Sequence, residues 1–138
     1  MRKVLSQFFP SLNEIQSPGT LDGGDVCQAG NHFFIGISER TNQAGANLLA
    51  DFLGQAGYTA SLVDIAKSVP GVLAGSLLHL KSGLAYLGDE RLVIAEALEN
   101  RREFAAYDRV CVNPAELYAA NCIRVNHHVL HCSGVSTV

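Results

Sequence analysis

The hydrophobic positions of this chain change period several times, and each change falls at a turn residue. Asp25 to Ala29 and His32 to Ile37 read as two short strands around Gly30-Asn31, a pair suited to a tight hairpin turn. Beyond them the period lengthens to that of a helix. Leu48, Leu49, Phe52, Leu53 and Ala56 share one helical face, Thr41 or Asn42 can cap its start, and Gly57 stands where a helix-ending glycine belongs. Tyr58 to Val63 then returns to strand character.

The same plan recurs about 50 residues later. Leu77 to Lys81 and Gly83 to Leu87 are short apolar runs predicted as strands, Gly88-Asp89 is a turn, and Arg91 to Ala95 is a further strand. A helix is predicted from about Glu96 to Tyr107 and a strand from Arg109 to Val112. Pro114 opens a helical turn through Tyr118, and Cys122–Val125 with Val129–Cys132 forms a hairpin around Asn126-His127. Two strand-strand-helix-strand units in series predict a radial or stacked α/β repeat rather than a doubly wound sheet. No linker interrupts them, so residues 1–138 read as a single domain.

Composition narrows the partners. The 138 residues are 48% hydrophobic and 17% charged, enough for a real core. The net charge is −3, and the Lys and Arg residues form no basic stripe, which argues against nucleic acid. Gln7 and Pro10 cut the first apolar run below the length of a signal peptide, and no stretch reaches the 18 apolar residues of a membrane span. Cys27, Cys111, Cys122 and Cys132 have no CxxC spacing and sit in apolar surroundings, as reduced thiols of a cytoplasmic protein would. The run His127-His128-Val129-Leu130-His131-Cys132 suggests a metal site at first sight. On a strand, however, its same-face pairs lie about 13 Å apart, too far to converge on one ion. Neither metal nor cofactor is expected.

The candidate chemistry lies in three stretches: Gly19-Thr-Leu-Asp-Gly-Gly-Asp-Val26, Ser38-Glu-Arg-Thr-Asn-Gln43 and Leu78-His-Leu-Lys-Ser82. A guanidinium is a planar, permanently charged donor fork, so holding one takes a carboxylate, and cleaving one takes a nucleophile and proton transfer. Taken alone, Asp22-Gly-Gly is a turn in which the aspartate caps backbone amides. Arg40 alone is a solvated residue at a helix start, and His79 alone is a core histidine at a strand edge. Asp25 is expected to brace the loop through hydrogen bonds to backbone.

Together, in this order, these stretches resemble the dimethylarginine dimethylaminohydrolase family of guanidine-modifying enzymes, across about Pro10 to His131. The resemblance implies a five-bladed α/β propeller, the pentein fold, of which this chain covers the middle two to three ββαβ blades. It implies that Asp22 grips the substrate guanidinium, that His79 is the catalytic histidine and that Arg40 clamps the substrate α-carboxylate. Lys81 after His-Leu favours the dimethylarginine branch, since related arginine deiminases carry an acidic residue there. The ligand implied is a small guanidino compound such as methylated arginine.

The family's attacking thiolate stands in the last blade, whereas the four cysteines here match strand positions. The expectation is therefore a chain without the nucleophile and without the N-terminal blade, binding a guanidinium but non-catalytic alone. Two alternatives stay open: an active half completed by a separately encoded partner, and a structural or interaction protein that kept only the fold. Open strand edges in a partial ring predict a homo-oligomer.

Overall fold

A computed structural model of the protein describes residues 2–66 and 77–132. After a short N-terminal helix, α1 (Arg2–Leu5), the first unit consists of β1 (Val26–Ala29), β2 (His32–Ile37), α2 (Gln43–Gln55) and β3 (Thr59–Asp64). Gly30 makes the β1–β2 turn at φ +63, and the strands pair antiparallel with Val26 opposite Ile35. The α2 crossover returns the chain so that β3 lies parallel to β2, His32 opposite Thr59 and Ile37 opposite Asp64.

The second unit has the same topology, with β4 (Leu84–Gly88) antiparallel to β5 (Arg91–Ala95), and β6 (Asp108–Val112) parallel to β5. A hairpin of β7 (Ile123–Val125) and β8 (His128–Leu130) follows, turning at Asn126. The sequence's duplicated plan is thus a duplicated structure.

Asn42 sets the start of α2. Its Oδ1 accepts the Gly45 amide at 2.8 Å and the Thr20 amide at 3.1 Å, and its Nδ2 donates to the Pro18 carbonyl at 2.8 Å. The cap therefore also ties the loop entering Asp22 to the helix. Gly45 makes that contact possible, because a Cβ there would stand 2.0 Å from the Thr20 carbonyl oxygen. One core joins the two units: Phe34 of β2 and Val63 of β3 pack with Leu80, Leu84, Leu92, Ile94, Leu98 and Phe104. The Phe34 ring lies 4.8 Å from Phe104 and 5.4 Å from Tyr107, centroid to centroid.

Two elements differ from the sequence expectation. The predicted strand over Leu77–Lys81 is instead a bend followed by a 3-10 turn, Leu80–Ser82. The Leu80 amide donates to the Asp25 carboxylate and the Ser82 amide to the His79 carbonyl, so neither enters a ladder. The predicted helix 96–107 is only α3 (Glu96–Glu99), ending at Asn100, with a separate 3-10 turn at Arg102–Phe104. Arg101 is extended, at φ −75 and ψ 132, and its guanidinium donates to the Asp64 carbonyl. Breaking the helix there lets Leu98 and Phe104 both enter the core.

Among the described residues no helix is long and apolar enough to cross a membrane, and no three His, Cys, Asp or Glu side chains are grouped to hold a metal. Of the cysteines, Cys27 is buried, Cys111 and Cys122 are half-buried and Cys132 is exposed. Burial, expected for Cys27, Cys111 and Cys122, holds fully only for Cys27, because Cys111 lies in β6 and Cys122 just before β7, both partly open to solvent.

Candidate functional site

Asp22 precedes the 3-10 turn Gly23–Asp25 with extended backbone, φ −110 and ψ 134, and its Oδ1 accepts the Gly24 amide at 2.8 Å. The turn reading of Asp-Gly-Gly is therefore correct for one oxygen of this carboxylate. Its two oxygens also face the other candidate residues. His79 Nε2 stands 3.4 Å from Oδ1, and Arg40 Nη1 stands 3.9 Å from Oδ2. Three residues that are 18 and 39 positions apart in sequence are thus brought to one carboxylate.

The Gly24 amide holds the Asp22 carboxyl below its ordinary 3.8 against partial desolvation, and His79 and Arg40 each add a smaller lowering. The aspartate is about one-third exposed at its side chain, and the histidine is more enclosed. His79 Nε2 is buried and makes no hydrogen bond among the described residues. A separation of 3.4 Å from Asp22 is an ion-pair distance without a well-formed bond. A buried ring nitrogen this close to a carboxylate makes the pair a candidate for ligand binding or proton transfer.

Gly24 is the floor under the imidazole. A Cβ there would meet both Cδ2 and Cγ of His79 at 2.7 Å. The second glycine of Gly-Gly therefore admits the histidine ring itself, a closer approach than ligand access alone would require.

Asp25 is fully buried. It braces the site, but mainly through hydroxyls rather than backbone. Ser38 Oγ and Thr41 Oγ1 each donate to Oδ2 at 2.7 Å, and only the Leu80 amide, at 3.0 Å to Oδ1, is a backbone donor. Ser38 and Thr41 were within the second sequence stretch, yet nothing in their spacing pointed to a buried carboxylate 13 and 16 residues away.

Arg40 is half-exposed and leans toward Asp22. A clamp for a distant carboxylate would point away from that group; in the present conformation its own guanidinium lies beside the aspartate.

The remaining candidates lie elsewhere. His128 belongs to the exposed β8, and His131 bonds through Nδ1 to the Cys132 carbonyl at 2.8 Å. Burial pushes the Cys27 thiol up to about 11 and raises Cys111 and Cys122 as well.

The chain is 36% identical to N(G),N(G)-dimethylarginine dimethylaminohydrolase of Pseudomonas aeruginosa over 135 residues, which is 97% of this chain and 50% of that protein. A solved structure of the P. aeruginosa enzyme, a cysteine-to-serine variant complexed with citrulline, superposes with a TM-score of 0.81 at 36% identity, over 96% of this chain and 49% of that one. An amidinotransferase of saxitoxin biosynthesis from Microseira wollei shares the fold at 15% identity, with a TM-score of 0.61 over 86% of this chain and 40% of that one. No protein-family model matches the chain. The chain spans about half the length of these relatives. With duplicated ββαβ units, this superposition and this identity, the chain is homologous over nearly its whole length to the dimethylarginine dimethylaminohydrolases and shares their pentein fold.

Proposed function

We propose that the protein provides the guanidinium-holding part of a dimethylarginine dimethylaminohydrolase-type site. The observation that carries this reading is Asp22 beside the buried, unbonded His79 Nε2 at 3.4 Å. In this reading Asp22 receives the guanidinium of a methylated arginine as a bidentate acceptor. His79 carries protons between the leaving amine and the hydrolytic water. Arg40 swings from Asp22 when the ligand guanidinium displaces it, and meets the ligand α-carboxylate.

Covalent catalysis on a guanidinium needs a thiolate, because water is a poor nucleophile toward so delocalised a cation. Cys27, Cys111 and Cys122 are held toward the neutral thiol and do not supply one at neutral pH. The 138 residues are accordingly read as binding without turning over, with the exposed Cys132 the remaining local thiol that the test must exclude.

The test pairs calorimetric titration of the purified chain with dimethylarginine and an assay of citrulline release under fresh reductant. Binding without citrulline is expected, with at least a tenfold loss of affinity in Asp22→Asn. Binding should persist at neutral pH and fade only as pH drops below about 4, where the carboxylate protonates. The lowered Asp22 value moves that fade to more acidic pH than for an ordinary aspartate. Absence of binding at millimolar ligand, or citrulline release that is lost in Cys132→Ser, would overturn the reading.

A further inference from the structure

Each of the three candidate site residues is fastened by a separate hydrogen-bond relay, and all three relays end on Asp25. The Asp22 amide donates to Thr41 Oγ1 at 2.9 Å, and that hydroxyl donates to Asp25 Oδ2 at 2.7 Å. The Arg40 amide donates to Ser38 Oγ at 3.0 Å, and that hydroxyl donates to the same Oδ2 at 2.7 Å. His79 is fastened through the next residue, whose amide donates to Asp25 Oδ1 at 3.0 Å.

The direction of these bonds is fixed by the number of lone pairs. Ser38 Oγ accepts both the Arg40 and the Thr41 amides, at 3.0 and 3.1 Å, which occupies its two acceptor sites. Its single proton therefore points outward, and Thr41 Oγ1, having accepted the Asp22 amide, points its proton the same way. Three donors from two segments are thereby aligned on a group that can only accept, which is a carboxylate. Space for it depends on Gly36, where a Cβ would lie 3.2 Å from Asp25 Oδ1 and 2.9 Å from the Leu80 Cβ.

We propose that Asp25 is the positioning residue of this site, a buried acceptor that sets Asp22, Arg40 and His79 in register through Thr41, Ser38 and the Leu80 amide. This rests on the proposed guanidinium site for its purpose, though not for its geometry. An asparagine cannot replace the carboxylate. Its amide group would confront either the Leu80 N–H or two hydroxyls, one of which has both lone pairs filled. A buried carboxylate with three donors is also a group whose loss leaves those donors unpaired.

The experiment is heteronuclear NMR of the whole chain at neutral pH, following the His79 ring, the Gly24 amide and the Arg40 amide, with circular dichroism to establish folding. Asp25→Asn is expected to keep the fold, shift all three signals and weaken dimethylarginine binding about tenfold. A folded Asp25→Asn whose His79 ring and Gly24 amide stay at their wild-type positions overturns the proposal. Where Asp25→Asn does not fold, two single-relay variants decide. Thr41→Val is expected to move the Gly24 amide, which reports Asp22, and leave the His79 ring in place. Ser38→Ala is expected to move the Arg40 amide, again with the His79 ring unmoved. If either variant perturbs all three sites alike, or neither perturbs its own, the relays do not act separately and the proposal fails. A wild-type chain that binds no dimethylarginine would defeat the functional reading while leaving these ligand-free signals to judge Asp25.

Discussion

Cys27 and Asp22 lie five residues apart, and their surroundings drive them in opposite directions. Cys27 is 5% exposed on β1, and desolvation pushes its thiol from 9.0 up to about 11. Asp22 sits at a turn that offers it a backbone amide, which lowers its value instead. A raised folded value for Cys27 means that the native state disfavours the thiolate. Its contribution to stability is complete below pH 9, and it is lost as pH rises from there through about 11. Chemical denaturation across that window should show stability falling by roughly 3 kcal/mol from this group, and Cys27→Ala should flatten the fall. In the native protein at pH 8, a thiol reagent should label Cys132 quickly and Cys27 only on unfolding; fast native labelling of Cys27 would contradict its burial.

The packing of α2 shows how one element carries a loop into place. Its hydrophobic face, Leu48, Leu49, Phe52 and Leu53, is only half-buried, while Gly45 and Ala46 at its first turn are fully covered. The contact that matters for the site is therefore at the helix start, where Asn42 and Gly45 hold Thr20 against the backbone. Gly45→Ala would place a methyl against the Thr20 carbonyl with nothing flexible to give way. We expect a loss of about 3 kcal/mol or more, by the usual magnitude of overpacking. Asn42→Ala should lose about 1 kcal/mol, typical of an N-cap. Thermal melts of the two variants would check the order. Gly54→Ala, at a helix position with open space around it, is the control and should leave stability unchanged or slightly raised.

At the scale of the whole molecule, the second unit ends in a surface rather than a core. Tyr118, Ile123, Val125 and Leu130 are 77%, 60%, 46% and 57% exposed, and both strands of the β7–β8 hairpin are exposed throughout. Isolated exposed apolar residues are ordinary, but Ile123, Val125 and Leu130 together on one two-stranded sheet form a patch. We propose that a second copy of the chain covers it. A stable pair would bury on the order of 1,200 to 2,000 Å² in total. Light scattering at high micromolar concentration should give at least twice the mass of 14.7 kDa, and the double variant Ile123→Lys, Leu130→Lys should return it to one. A wild-type monomer under those conditions would refute the interface.

The sequence by itself determined those features that depend on neighbours along the chain. β2 (His32–Ile37) and β5 (Arg91–Ala95) were legible to the residue, because short apolar runs bounded by turn residues are local signals, and the duplicated unit followed from them. Asp22, Arg40 and His79 were legible through the resemblance of three short stretches, and the structure brings them to one carboxylate. Tertiary structure decided the rest. Leu77–Lys81 reads as a strand, but a buried carboxylate 55 residues earlier takes the Leu80 amide that a ladder would have used. The helix after Glu96 stops at Asn100 because core positions for both Leu98 and Phe104 are worth more than continued helical bonds. That Asp25 gathers hydroxyls, and that Gly24 makes room for an imidazole, depends on contacts between residues 13 to 55 positions apart, for which local periodicity carries no signal.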